Sequence, residues 1–286
     1  MDRIMFGDNQ FFGVNHMSEE KARAMALRFQ DTQAILDVLG HAYDAGIRTF
    51  MCTTHDRMAE IVDRVAADRD RFQGLVFHPG MPYAHKYADM VTELGIFETL
   101  RQVTPGGIFE AVARGAKTAV KKDLRQLMYQ LVDAELVPFA SVEVPVVFLQ
   151  NVIADLLLGL GMRELLAEFV EYVQNRHGAR AGVFTMNMPR MLDALVSEGI
   201  SNPIICCNYN AVGFRMCGGI EAYDRALEGH EFTCIAMSVL ASGAIEPERA
   251  IAWICDRPRV DSIVFGASSR GNIARTVELI EKYSKC

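Results

Sequence analysis

Short apolar runs recur along the chain, and each is followed by a segment with the spacing of an amphipathic helix. The runs are rich in Val, Ile and Phe and give way to Gly, Asn, Thr or Ser, which is typical of buried strands that end in loops. Eight runs are present: Ile4 to Phe6, Thr49 to Cys52, Leu75 to Phe77, Pro145 to Leu149, Gly182 to Thr185, Ile204 to Cys207, Thr233 to Met237 and Ser262 to Phe265. The pattern predicts eight strands separated by helices.

The segments between the runs carry helix signals of their own. Apolar side chains recur on one side of the segment from Asp31 to Ala45, and Gly46 follows as a stop signal. Pro189 and Pro247 stand where a first-turn proline belongs. The other predicted helices are Met58 to Ala67, Ala119 to Glu135, Met162 to Arg176, Pro189 to Glu198, Gly218 to Glu228, Pro247 to Cys255 and Asn272 to Lys282.

The alternation of strands and helices decides between two architectures. An open doubly wound sheet of the dinucleotide-binding type would carry G-x-G-x-x-G after its first strand, and this chain does not. We therefore predict an α/β fold, a single (β/α)8 TIM barrel over residues 1–286.

Residues 81–117 interrupt the repeat between the third strand and its helix. They contain a predicted helix from Lys86 to Val103, followed by the breaker Thr104-Pro105-Gly106-Gly107. Loops that follow barrel strands emerge on the C-terminal face, where active sites lie. The insert is predicted to be either a helical cap over the pocket or a decorative or oligomer-forming helix.

Composition narrows the classes of function. Half of the 286 residues are hydrophobic and the net charge is −7 without a long basic run, so we expect a buried core and no nucleic-acid partner. The seven cysteines lack C-x-x-C spacing and are interpreted as reduced core residues. The longest apolar stretch, Val144 to Met162, is interrupted by polar residues, and no signal peptide is recognisable. A cytoplasmic protein with no membrane partner is expected.

The last strand ends in a loop suited to an anion. Gly266, Ala267 and Ser268 are small enough for backbone N–H groups to approach a phosphate, and Ser269 adds a hydroxyl. Arg270 adds a charged fork of donors, and the helix that follows offers its positive end. The alternative is a simple helix cap with an exposed arginine.

Several stretches resemble aldo-keto reductases. The similarity is most specific from Ala250 to Ile254 and, with Pro258 between, from Val260 to Ser269; Ala34 to Phe50, Gly182 to Asn210 and Ala236 to Gly243 agree with it. The resemblance implies an NADP or NAD site at the C-terminal mouth of the barrel. It implies further that the cofactor contacts Asn187, Ser238 and the loop Gly266, Ala267, Ser268, Ser269 and Arg270.

The same resemblance fails where the family carries its chemistry. Those enzymes use a tyrosine as proton donor, helped by an aspartate, a lysine and a histidine at the ends of strands two to four. Here Met51 stands for the aspartate, Asp56 at or beside the tyrosine, His78 for the lysine and Gln150 for the histidine. The loop after the seventh strand is also short. The resemblance thus implies a divergent member that lacks the usual acid-base set.

A different polar set follows the strands at the predicted mouth. Asp8, His55, Asp56 and His78 are the candidate catalytic residues, since imidazole titrates near neutral pH and a carboxylate can orient it or take a proton. The candidate substrate-binding residues are Asn9, Gln150, Asn151 and Asn210. Each histidine could equally be a buried structural residue or a solvated loop residue. The four catalytic candidates could also converge on one metal ion, but no spacing within one element supports it, and no metal is predicted.

Three functions are compatible with these features. The first is an enzyme similar to aldo-keto reductases that acts on a small carbonyl or sugar-like metabolite with NAD(P)H. The second is a cofactor-independent lyase, isomerase or aldolase that uses the last loop for a phosphorylated substrate. The third is a non-catalytic, nucleotide-sensing barrel with the insert as its contact surface.

Overall fold

Eight parallel strands close into a barrel in a computed structural model that describes residues 1–13, 18–82, 117–257 and 259–284. Each strand pairs with the next in the chain, and the last pairs with the first. The strands are β1 Ile4–Gly7, β2 Thr49–Thr53, β3 Val76–Met81, β4 Val146–Leu149, β5 Arg180–Thr185, β6 Ile204–Asn208, β7 Thr233–Met237 and β8 Ser262–Phe265. The predicted (β/α)8 barrel is confirmed.

Helices lie between the strands. They are α1 Glu19–Arg28, α2 Thr32–Asp44, α3 Met58–Ala67, α4 Lys117–Leu136, α5 Asn151–Gly159, α6 Arg163–Tyr172, α7 Met188–Ser197, α8 Gly219–Gly229, α9 Pro247–Cys255 and α10 Arg270–Tyr283. Short 3-10 turns occur at Val137–Phe139 and Ala241–Gly243, and a π-helical turn, Val173–His177, extends α6. The described helices are not long and apolar enough to cross a membrane.

The core has two layers, as a closed barrel requires. The larger layer lies between the strands and the helices, and a smaller one fills the barrel interior. Inside the barrel, Phe148 and Phe184 take the space left by two glycines. A Cβ on Gly182 would lie 2.4 Å from the Phe148 ring, and one on Gly80 would lie 2.5 Å from the Phe184 ring. Since protein interiors are close-packed, these glycines shape the floor under the mouth.

Two helices were not predicted. The helix α1 lacks a clear apolar stripe, since its burial is slight and several of its residues are charged. The helix α5 lies in the apolar stretch that runs on from β4, where only Gln150 and Asn151 separate the strand from the apolar residues of the helix. Periodicity alone does not divide such a run.

The predicted end of the third strand was wrong. The sequence placed it at Phe77, whereas β3 continues through Met81, because Pro79 and Gly80 interrupt the apolar pattern without ending the pairing. His78 therefore lies inside the strand rather than in the loop after it. The helix predicted from Lys86 to Val103, and most of the insert 81–117, lie outside the described residues.

Candidate active site

Asp8 directly follows β1 and faces the neighbouring strand. Its Oδ2 accepts hydrogen bonds from the backbone N–H of Thr53 at 2.6 Å and from the Thr53 hydroxyl at 2.7 Å. The residue is 5% exposed, and burial raises the pKa of its carboxyl from 3.8 to about 6, against the two Thr53 bonds that lower it. A carboxyl with a pKa in this range can give or take a proton near neutral pH.

His55 lies beyond β2 on the same side of the mouth. Its ring stacks on Phe12, with centroids 4.0 Å apart and planes 9° from parallel. The backbone N–H of Arg57 donates to its Nδ1 at 3.1 Å, which assigns the proton of the neutral imidazole to Nε2. The pair of rings therefore gives the mouth a flat aromatic edge.

Asp56 and Asn9, two other candidates from these loops, are both exposed. Asp56 lies in the turn before α3, and Asn9 lies in the turn after Asp8. Neither is enclosed as Asp8 is.

His78 lies within the barrel interior instead of at its mouth. It is paired in register with Met51 on β2, and its ring centroid lies 6.1 Å from that of Phe148. It is 3% exposed, burial lowers the pKa of its imidazole from 6.5 to about 4, and its Nδ1 has no hydrogen-bond partner among the described residues. At neutral pH it is an uncharged core residue.

Gln150 and Asn151 join β4 to α5 at the mouth. The Gln150 backbone N–H donates to the Met81 carbonyl at 2.8 Å, and its side-chain amide makes a long contact of 3.4 Å with the Gly80 carbonyl. Asn151 is the first residue of α5. Both are partly exposed, so they are accessible to a ligand.

Asn187 and Asn210, by contrast, have different surroundings. Asn187 precedes α7 with no side-chain cap bond and is partly exposed, while Asp155 holds the preceding turn through the Thr185 hydroxyl and the Met186 N–H. Asn210 is fully buried, and its amide bonds back to its own loop at Phe214. In the structure the Asn210 side chain therefore stabilises its own loop.

The loop after β7 is strained. Ser238, Ala241 and Ser242 all have positive φ, at 54°, 46° and 57°. Such left-handed conformations cost free energy in residues other than glycine, and they cluster at ligand-binding sites. The predicted contact residue Ser238 therefore lies on an unusually shaped segment beside the mouth.

The last loop is organised as a helix entrance. Ser269 caps α10, since its hydroxyl accepts from the Asn272 N–H at 3.3 Å, and Arg270 is the exposed first residue of the helix. A further arginine arrives from α1: Arg28 donates to the Ser268 carbonyl at 2.6 Å and, at 3.4 Å, to its hydroxyl. The sequence did not identify Arg28 as a candidate site residue, because α1 was not predicted. A helix recognised between β1 and α2 would have pointed to it.

Gln10 covers the start of this loop. Its amide nitrogen donates to the Gly7 carbonyl at 2.7 Å, and its Oε1 has no partner among the described residues although the side chain is 5% exposed. A Cβ on Gly266 would come within 2.1 Å of that oxygen. Glycine is thus required here, and within the described part of the chain no donor reaches this buried acceptor beside the last loop.

The residues of the last loop fit the phosphate group of a cofactor. Two arginines, a capped helix start and small loop residues provide the donors that a phosphate needs. They do not form a metal centre. Within the described ranges no three His, Cys, Asp or Glu side chains are grouped as ligands, so the possible convergence of Asp8, His55, Asp56 and His78 on one ion is not formed.

Comparisons with solved structures give one consistent result. A putative aldo-keto reductase from Pseudomonas aeruginosa is 15% identical, with a TM-score of 0.61, over 99% of this chain and 91% of that one. A thermostable aldo-keto reductase, solved with the inhibitor epalrestat, is 13% identical with a TM-score of 0.61, over 98% and 90%. A putative 2,5-diketo-D-gluconic acid reductase B is 10% identical with a TM-score of 0.56, over 98% and 86%.

Comparisons by sequence find no counterpart. No family model and no curated protein matches the chain. Identities this low establish the architecture alone, and the likeness nevertheless spans nearly the whole of each chain. The chain has the fold of the aldo-keto reductases, as the stretches from Ala34, Gly182 and Ala250 predicted.

Proposed function

We propose that the protein is an oxidoreductase that binds NADP(H) or NAD(H) at the C-terminal mouth and acts on a small carbonyl or sugar-like metabolite. The observation that carries the proposal is the last loop. Ser269 caps α10, Arg270 is the first residue of that helix, and Arg28 contacts the loop from α1, so hydrogen-bond donors from two elements are available at this loop. The reductase fold of the structural neighbours supports the same reading.

The reduced dinucleotide supplies a hydride when it is bound, and the reaction then needs a group that supplies a proton. In this chain Met51, His78 and Gln150 occupy positions where the resemblance implies an aspartate, a lysine and a histidine. Met51 and His78 are buried, and a neutral imidazole with a pKa of about 4 is a poor proton donor at pH 7. We assign proton transfer to the buried carboxyl of Asp8.

Asp8 suits that role through its surroundings. The two Thr53 donors fix Oδ2, which orients the carboxyl, and its pKa of about 6 leaves both protonation states accessible near neutrality. His55, stacked on Phe12, is assigned to the aromatic edge of the substrate site. Gln150, Asn151 and Asn187 complete the polar edge of the mouth.

A second function is favoured by the same carboxyl. A cofactor-independent lyase, isomerase or aldolase needs a buried base and an anion site, and it needs no hydride donor. Asp8 and the loop Gly266–Arg270 would serve as that base and that site. The resemblance implies a tyrosine, an aspartate, a lysine and a histidine that this chain lacks. Their absence weakens the proposal of a reductase and supports this second function.

Oxidation of NADPH in the presence of a panel of aldehydes, ketones and hydroxy ketones separates the candidates. We expect turnover with at least one carbonyl, and a raised KM for NADPH in Arg270→Ala. The outcome that contradicts the proposal is no dinucleotide binding, together with protection against heat by phosphate esters. That result would favour the second function, and tight NADPH binding with no turnover on any substrate would favour a non-catalytic sensor.

A further inference from the structure

Two sulfur atoms meet inside the barrel, below the mouth. Met51 on β2 and Cys206 on β6 are both buried, and both belong to the smaller core layer that fills the barrel interior. The Cys206 thiol donates to Met51 Sδ across the barrel, with the two sulfur atoms 4.0 Å apart. Thiolate and thioether groups are the ligands that soft metal ions prefer, so a pair of soft donor atoms is already in contact here.

His78 brings a nitrogen atom into the same interior. It is the register partner of Met51 on β3, and partners on neighbouring parallel strands direct their side chains to the same face of the sheet. His78 is 3% exposed, and its Nδ1 is buried with no hydrogen-bond partner among the described residues. A buried polar atom without a partner costs free energy, and a neutral imidazole nitrogen is a common metal ligand. His78 thus points to a ligand independently of the two sulfur atoms.

The spacing of the sulfur atoms suits one ion bound to both. A bond between sulfur and a first-row metal ion is about 2.3 Å long, so two sulfur ligands about 120° apart around one ion lie about 4.0 Å from each other. The observed distance is 4.0 Å. An ion in this position takes the place of the thiol proton, and the thiolate neutralises one positive charge. A monovalent ion therefore leaves no net charge in the apolar interior, whereas a divalent ion would leave one.

The ligand types favour Cu(I) over harder divalent ions. Across the ranges that the structure describes, no three His, Cys, Asp or Glu side chains are grouped, so a typical zinc or calcium site is not assembled. Here the third ligand is a thioether, which selects soft ions. Phe184 and Met237, near the C-terminal ends of β5 and β7, are partly buried and pack against this core layer. The ion would therefore enter from the mouth.

We propose that Met51, His78 and Cys206 form a binding site for a soft monovalent metal ion, Cu(I), in the barrel interior. On binding, the S–H bond of Cys206 breaks, its proton passes to solvent, and Sγ binds the ion together with Met51 Sδ and His78 Nδ1. No electron is transferred, because the ion is taken up as Cu(I). The ion joins β2, β3 and β6, so it stabilises the closed barrel. The site lies apart from the last loop and does not depend on the proposed function.

Anaerobic titration of the full chain with Cu(I) tests the proposal. The ion is supplied with an excess of a chromogenic Cu(I) chelator, which withholds it from a single exposed thiol such as Cys217. We expect the wild type to take up one ion that Cys206→Ala does not take up. The matched control is Cys207→Ala, which should keep the ion. Cys207 is the next residue of β6, is equally buried and lies in the larger core layer outside the barrel.

Two further variants test the other ligands. Met51→Leu conserves the volume of the side chain and removes its sulfur, and His78→Leu removes the ring nitrogens. We expect the Kd for Cu(I) to rise about tenfold or more in each, because a ligand is lost. At about a hundredfold above its Kd, Cu(I) should raise the melting temperature of the wild type by about 5 °C or more, and that of Cys206→Ala should not change.

Equal uptake by folded Cys206→Ala and Cys207→Ala would overturn the proposal, because the ion would then be bound by other thiols. A wild type that takes no ion from the chelator would overturn it as well. An unchanged Kd in both Met51→Leu and His78→Leu would reject the three-ligand site. Melting of each variant without Cu(I) shows whether it is folded, and Met51→Leu carries the comparison if Cys206→Ala is not.

Discussion

The last loop and the barrel floor beneath the mouth differ in the charge and burial of their side chains. At the loop, Ser269, Arg270 and Arg28 present charge and donors to solvent. At the floor, Met51 and His78 lie side by side in the register, buried and uncharged at neutral pH, with the Met51 sulfur 4.0 Å from the Cys206 thiol. The proposed function therefore assigns anion binding and proton transfer to separate parts of the barrel, the first to this loop and the second to Asp8.

The titratable group that we assign to proton transfer also lies on a different strand end from the aspartate that the resemblance implies. Asp8 follows β1, one strand away from Met51, and is enclosed by the Thr53 donors rather than by a cation. Its pKa is raised by burial, whereas that of His78 is lowered by burial. The same desolvation favours a neutral group in both cases, and only the carboxyl is left with a pKa useful near neutrality.

The largest effect is expected from Asp8→Asn. If Asp8 transfers the proton, kcat should fall by roughly a hundredfold to ten-thousandfold, because an amide cannot exchange it. The Kd for NADPH should not change, since the loop is on a different element. Asp63→Asn, the same change at an exposed aspartate of α3, is the control, and steady-state kinetics make the measurement. Full activity in Asp8→Asn would remove Asp8 from the mechanism.

The opposite pKa shifts of Asp8 and His78 predict opposite effects of pH on stability. Asp8 holds a proton more tightly when folded, so its stabilising contribution is present below pH 3.8 and is lost as the pH rises to about 6. His78 resists protonation when folded, so its contribution is present above pH 6.5 and is lost as the pH falls to about 4. Shifts of this size each correspond to about 3 kcal/mol of unfolding free energy.

In the wild type the two contributions largely cancel between pH 4 and 6. Asp8→Asn should therefore raise the unfolding free energy at pH 7 and make it fall more steeply with acid than that of the wild type. Urea unfolding at several pH values measures this. Parallel curves for the two proteins would mean that folding does not raise the pKa of Asp8.

The sequence predicted much of this molecule where a local signal was strong. The strands β7 and β8 were predicted to the residue, and Gly46 does follow α2 with a φ of 93°. The position of His78 could not be predicted, because Pro79 and Gly80 read as a turn while the neighbouring strands keep them paired. Burial of Asp8 and the reach of Arg28 depend on contacts between distant segments, which periodicity does not contain.

The packing of the barrel floor should be disrupted by one added methyl group. Gly182→Ala should destabilise the fold by about 1–3 kcal/mol, because its Cβ would overlap the buried Phe148 ring. The matched control is Gly159→Ala at the end of α5, where a Cβ meets nothing within 4 Å and slight stabilisation is expected. Chemical denaturation compares the two. Equal unfolding free energies would mean that the floor is less tightly packed than described.

The smallest effect is expected from Gln10→Met. The substitution keeps the length of the side chain and removes its amide, so a hydroxyl donor on the ligand would lose its acceptor and NADPH affinity should fall a few-fold. Isothermal calorimetry resolves a change of this size. Tighter binding in the variant would show that the buried oxygen does not receive a bond from the ligand.

One set of titrations tests most directly the separation of the loop from the floor. NADPH fluorescence is followed with the wild type, Asp8→Asn and Arg270→Ala under the same low-salt conditions. We predict equal affinity for the wild type and Asp8→Asn, and an affinity about tenfold or more lower for Arg270→Ala. Undiminished NADPH binding in Arg270→Ala, or its loss in a folded Asp8→Asn, would contradict the account.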